Sequence, residues 1–145
     1  MTRAEITGIM PFFIVRDVPS TLAFYRDRLG FEITFMGPEP NDIFFGIVSR
    51  GGAGIIFKAI GVEPVPNCTR DIKQGIARWD AFIDVPDPDA LAAEFESRNV
   101  EFFHPLKSGD DGLCGFEIRD VDGYILFFGR AVSNPMPDNV LQQTS

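Results

Sequence analysis

Apolar and polar positions alternate along this chain in short runs separated by turn residues, the pattern of half-buried strands. In the first half the alternation predicts strands over 9–15, 31–36, 43–48 and 54–60, with a helix over 19–29 between the first two. In the second half it predicts strands over 79–85, 100–103, 113–119 and 124–130, with a helix over 88–98. Each half therefore reads βαβββ, and the chain as a whole is α+β. Asp87-Pro88 supplies a carboxylate for the helix N-cap and a proline for the first helical position, and Asp17 with Pro19 is a looser version. Leu22, Tyr25 and Leu29, like Leu91 and Phe95, mark one apolar helix face. Gly30 and Asn99 stand where a left-handed residue ends a helix, and Gly51-Gly52 and Asp122-Gly123 suit tight hairpin turns.

The two halves keep register. Asp17 and Asp87, Tyr25 and Phe95, and Phe57 and Phe127 all stand 70 positions apart, which points to an internal duplication. The predicted organisation is one domain over 1–145, with module one at about 8–60, a linker at about 61–77, module two at about 78–131 and a tail over 132–145. The linker is rich in Pro, Gly and polar residues between Gly61 and Gly75. Asn134–Ser145 has two prolines and little apolar material, so it is expected to fray or to pack on a partner.

Composition narrows the class without naming a function. A chain of 145 residues, 45% apolar and 23% charged, has the balance of a globular protein with a real core. Its apolar runs are too short to span a bilayer, and Met1–Glu5 leads into no signal-like stretch. Two cysteines, Cys68 and Cys114, do not make a disulfide framework, and a reduced, cytoplasmic setting is expected. The formal charge of −8, with only scattered cations such as Arg70, Lys73 and Arg78, argues against nucleic acid. Such acidity favours a cationic ligand, or simply keeps the protein soluble.

Two stretches carry a family likeness. Phe13-Ile14-Val15-Arg16-Asp17 followed by Ala23–Phe31 resembles the opening of the vicinal oxygen chelate superfamily, which includes glyoxalase I, extradiol dioxygenases and bleomycin-resistance proteins. Phe116–Tyr124 resembles that family's Asp-Pro-Asp-Gly-Asn hairpin, with Val121 in place of the proline and Tyr124 in place of the asparagine. The likeness covers roughly residues 8–130. It implies a cupped eight-stranded mixed sheet with helices on its outer face, a site on the concave face, and a homodimer with pockets near the interface.

Metal-dependent members place His, Glu or Gln on the first and last strand of each module. By the same resemblance those positions fall here at Met10, Phe57, Asp80 and Phe127. A phenyl ring has no lone pair to give, and a thioether suits soft ions rather than Zn²⁺, Fe²⁺ or Mn²⁺. Asp80 alone falls short of the three protein ligands usual in catalytic sites. Neighbouring positions offer Ile9, Pro11, Ile56, Lys58, Leu126 and Phe128, and the single histidine, His104, matches none of the four. No metal and no other cofactor is therefore expected.

Alternation assigns Met10, Phe12 and Ile14, with Asp80, Phe82 and Asp84, to the concave face, joined by Ile55, Phe57, Ile125 and Phe127. These residues would either line an aromatic pocket with a carboxylate wall or simply fill the cup as core. Trp79, the sole tryptophan, is a candidate pocket lip or interface anchor, and Glu117 a candidate cup residue. Cys114 lacks an activating neighbour in sequence, and Tyr124 is either a pocket hydroxyl or a turn residue. The expected function is binding of a small, cationic or aromatic, drug-like molecule through Met10, Phe12, Phe57, Trp79, Asp80, Phe82, Asp84, Glu117 and Phe127. The alternatives are a metal-dependent or metal-free lyase, transferase or dioxygenase of the same superfamily, the metal-free case using a carboxylate as general base. Fold alone does not choose among them.

Overall fold

The computed structural model describes residues 2–71 and 73–132. The chain begins with β1 (Phe12–Ile14), α1 (Val18–Asp27), β2 (Glu32–Glu39), β3 (Asp42–Arg50) and β4 (Ala53–Lys58). A short α2 (Asn67–Arg70) lies in the linker. Then come β5 (Ala81–Asp84), α3 (Pro88–Ser97), β6 (Phe102–Ser108), β7 (Leu113–Arg119) and β8 (Ile125–Ala131). Both halves are βαβββ, as the alternation predicts. The eight strands form two four-stranded mixed sheets, ordered β1-β4-β3-β2 and β5-β8-β7-β6, and among the described residues no ladder joins them. The tail expected to fray or dock, Asn134–Ser145, lies outside the described residues. No helix among the described residues is long and apolar enough to cross a membrane.

Both long helices start as their caps dictate. The Asp17 carboxylate accepts from the Ser20 amide at 3.1 Å, and the Asp87 carboxylate from the Ala90 amide at 3.1 Å. Gly30 and Asn99 leave the helices in the left-handed conformation, at φ 70° and 61°. Each helix then covers its own sheet. Tyr25 and Phe57 are fully buried with ring centroids 4.9 Å apart under α1, and Phe95 and Phe128 meet edge-on at 5.1 Å under α3.

The two modules meet along a seam. At their helix ends the contacts are reciprocal: the Arg28 guanidinium donates to the Arg98 carbonyl at 2.8 Å, and Arg98 to the Asp27 carbonyl at 3.3 Å. On one flank the β7–β8 turn is locked to α1. Asp122 accepts from the Arg16 amide at 3.0 Å and the Thr21 hydroxyl at 2.6 Å. Asp120 accepts from the Tyr25 hydroxyl at 2.6 Å and from the amides of Asp122 and Tyr124, both at 2.9 Å. Tyr124 stacks on Phe13 at 4.1 Å and donates to the Ile14 carbonyl at 2.6 Å. On the other flank the partners are Arg50 and Glu94, paired through both guanidinium nitrogens at 2.7 and 2.8 Å.

Burial pushes the Asp120 carboxyl up to about 7, outweighing the Tyr25 hydroxyl and the two amides, which hold it charged. The same burial, with Asp120 beside it, pushes the Tyr25 hydroxyl well above its ordinary 10.0, so it stays a donor. Asp120 thus holds its proton more tightly in the folded chain than at its ordinary 3.8. Its contribution to stability is complete at low pH and is lost as pH rises through about 7. Urea midpoints should therefore fall between roughly pH 4 and 7 and level off above, and Asp120→Asn should flatten that decline; an unchanged slope would rule Asp120 out as its source.

Candidate functional site

Away from the helices each sheet presents an open face, and the second carries most of the chemistry. Trp79, Phe82 and Phe127 form one aromatic cluster there. Trp79 lies 4.7 Å from Phe127 and 5.5 Å from Phe82, and Phe82 lies 5.1 Å from Phe127, ring centre to ring centre. Glu117 stands opposite Phe127 in the β7–β8 ladder, and His104 opposite Glu117 in the β6–β7 ladder. The Glu117 side chain is 90% buried and takes the His104 Nδ1 at 2.9 Å. Arg78 lies over the Trp79 ring at 4.3 Å and is tied to Asp111 at 2.6 Å.

The first sheet's open face is plainer. Phe45 lies 6.5 Å from Phe12 and 5.8 Å from Phe35, with Met10 beside Gly54. Phe12, Phe35 and Met36 are about half exposed, against Phe13 and Phe57 on the helix side of the same sheet, which are buried. Nothing else among the described residues covers this aromatic surface.

The structure brings Trp79, Phe82, Glu117 and Phe127 together and places Met10 and Phe12 on the other sheet. Three expectations are corrected. Phe57 does not face the cup: it is fully buried between Tyr25 and Phe13. The cause is turn length. Arg50 pairs with Ala53 across two residues, whereas Asp120 bonds to Tyr124 across three. The last strands are therefore offset by 71, and the counterpart of Phe57, beside Phe13, is Phe128, beside Ile83. Asp80 is no unpaired wall carboxylate, since it accepts from the Asn67 and Ile125 amides, both at 2.8 Å. Asp84 is exposed at the far end of β5, on the rim of a separate cavity. His104 was missed because the predicted strand stopped at Phe103; β6 runs on to Ser108 and draws it into the ladder.

The residue types at the family's metal positions do not fit a divalent cation. The strand positions on the open face beside Phe12 are Ile56 and Lys58, the position beside Phe82 is Phe127, and both Asp80 oxygens are engaged by amides. Among the described residues no three His, Cys, Asp or Glu side chains converge.

The glyoxalase/bleomycin resistance protein/dioxygenase superfamily profile matches residues 8–128. The chain belongs to that superfamily. Among solved structures it is similar to the bleomycin-binding protein of bleomycin-producing Streptomyces verticillus in complex with copper(II)-bleomycin. That match has 27% identity and a TM-score of 0.63, and covers 89% of this chain and 99% of the other. TioX from Micromonospora sp. ML1 shares the fold at 18% identity and TM-score 0.65, with 85% of this chain and 98% of the other covered. A second bleomycin-binding protein complexed with bleomycin superposes at TM-score 0.64 and 22% identity, over 85% and 97% of the two chains. No curated protein matches the sequence.

Phe57→Ala should cost about 3–5 kcal/mol of stability by emptying the core, whereas Met10→Ala, at a half-exposed site, should cost well under 1 kcal/mol. Equal losses in urea titrations would place Phe57 back on the open face.

Proposed function

We propose that this protein binds a small organic molecule, flat and aromatic or carrying a cationic group, against the Trp79–Phe82–Phe127 face. The observation that carries the reading is that cluster itself: three rings in mutual contact, one more than 40% exposed, beside a buried carboxylate. Such surface is costly to leave in water and suits a stacking ligand. The formal charge of −8 favours a cation at long range. The two bleomycin-bound relatives support an organic, drug-like ligand, and an antibiotic-sequestering role would follow from it.

No step in this reading runs through a metal, because the residues at the family's metal positions are carbon-rich or already bonded. Met10 and Phe12, on the other sheet, enter the site when a second copy lays that face over the first, so the working form is a homodimer. Two free cysteines suit a reducing, cytoplasmic setting. A second reading has one observation in its favour. Glu117, largely buried and 2.9 Å from His104, forms a pair that could move a proton to or from a ligand stacked on Phe127. Glu117→Gln would then abolish turnover of a bound compound while leaving its affinity nearly intact.

Trp79 is the only tryptophan, so its emission reports directly on the face. Titration with bleomycin-type glycopeptides and planar cationic dyes should shift that emission saturably. Phe82→Ala should weaken binding about tenfold or more, and Phe35→Ala should do so only in the dimer. A broad panel that leaves both the emission and the melting temperature unmoved would sink the binding reading. A monomer by light scattering at every concentration would remove the dimer from it.

A further inference from the structure

Trp79 already carries a cation. Its indole meets Phe127 at 4.7 Å and Phe82 edge-on at 5.5 Å, and the Arg78 guanidinium lies over the ring at 4.3 Å. The ring quadrupole attracts that guanidinium, and so does Asp111, which bonds to it at 2.6 Å from the loop between β6 and β7. The two partners are anchored unequally. Asp111 Oδ1 accepts from the Leu113 amide at 3.1 Å, which ties the carboxylate to the start of β7. Arg78 belongs to no helix or strand and reaches across from the stretch ahead of β5. With side chains 46% and 39% exposed, the pair is wet, and a wet ion pair or cation–π contact holds only weakly. The Arg78 arm is therefore the part that gives way.

Behind the pair lies a cleft. Arg78 and Asp111 line it from the loops, and Gly115, Glu117, His104 and Phe127 line it from the strands. With the arm in place its volume is about 20 Å³, room for roughly one water. The Glu117 side chain at its inner wall is nine-tenths buried and meets the His104 imidazole through Oε2. A buried carboxylate gains from a counter-charge that brings its own donors. An indole face and two carboxylates, Asp111 outside and Glu117 within, thus border the place that the guanidinium covers.

We propose that Arg78 is a displaceable stand-in for the ligand, and that Trp79, Asp111 and Glu117 form a subsite for an aromatic amidinium or guanidinium group. The proposal rests on the ring-face reading above and says which part of the ligand goes where. The ligand's cation takes the place of the guanidinium over Trp79, and its flat ring continues over the exposed Phe82. Its N–H groups reach Asp111 and, with the arm swung aside, Glu117. A planar cation with several donors suits this place, because two carboxylates have to be answered from one plane. Arg78 moves out into water, where it loses little.

Three flat probes of one shape test this: naphthamidine, the neutral naphthamide and the anionic naphthoate. Each is titrated into the full chain while the indole N–H resonance of Trp79, the sole tryptophan, is followed. Arg78 and Asp111 are both exposed, so substitutions there should leave the fold intact. Arg78→Gln should tighten naphthamidine about tenfold and leave naphthamide within about twofold, since only the charged probe competes with the guanidinium. Adding Asp111→Asn should remove that gain. Equal naphthamidine affinities in the native chain and Arg78→Gln would overturn the proposal, and so would a gain that persists without Asp111. Tighter binding of naphthoate than of naphthamidine by the native chain, lost in Arg78→Gln, would overturn it by making Arg78 a receptor for anions. In each of those cases the rings still bind a ligand. No shift with any probe in any variant would sink the ring-face reading together with this one.

Discussion

The arrangement of the two modules rests on a small set of buried carboxylate contacts. Asp120 and Asp122 sit in the turn between β7 and β8, yet between them they accept hydrogen bonds from Tyr25, Thr21 and Arg16 in the other half of the chain. A buried carboxylate is expensive unless its oxygens are occupied, so this turn has essentially one place to go. Once it is there, Tyr124 is carried onto Phe13 and the helix ends meet through Arg28 and Arg98. The open faces of the two sheets are then fixed in direction, and so is the position of every ring on them. The lock stabilises a specific pose more than it stabilises the chain, since Asp120 is most comfortable with its proton on.

That pose explains why the aromatic faces are exposed. A sheet buried on both sides needs cover on both, and each module has only one helix to offer. The helix takes Phe57 or Phe128, and the opposite side keeps Phe12, Phe35 and Phe45, or Trp79, Phe82 and Phe127. Set into the second face are a carboxylate, an imidazole and a guanidinium: Glu117, His104 and Arg78.

Much of the fold was legible because it follows from alternation and caps. The strand Leu113–Arg119 was predicted to the residue, and Asp87-Pro88 opened α3 where the N-cap argument put it. The site was less legible, for reasons that are local. A constant offset of 70 fits the first strands and the helices, but a turn one residue longer changes it to 71, and a slip of one residue in a strand exchanges the two faces. That alone misplaced Phe57. Asp80 was misread because alternation says where a side chain points and nothing of which amides come to meet it. His104 was overlooked because the predicted strand stopped at Phe103, whereas β6 continues through Pro105 to Ser108 along an irregular stretch of ladder.

The extra residue in the second turn also frees the two flanks of the seam from each other. Tyr124 and its carboxylates answer to the lock, where almost any substitution would be felt by both halves. Gly52 and Ala53 answer to nothing of the kind. Gly52 is therefore a position where variation meets little resistance, and an engineer could reshape the cavity there while leaving the Arg50–Glu94 pair and the left-handed Gly51 as they are.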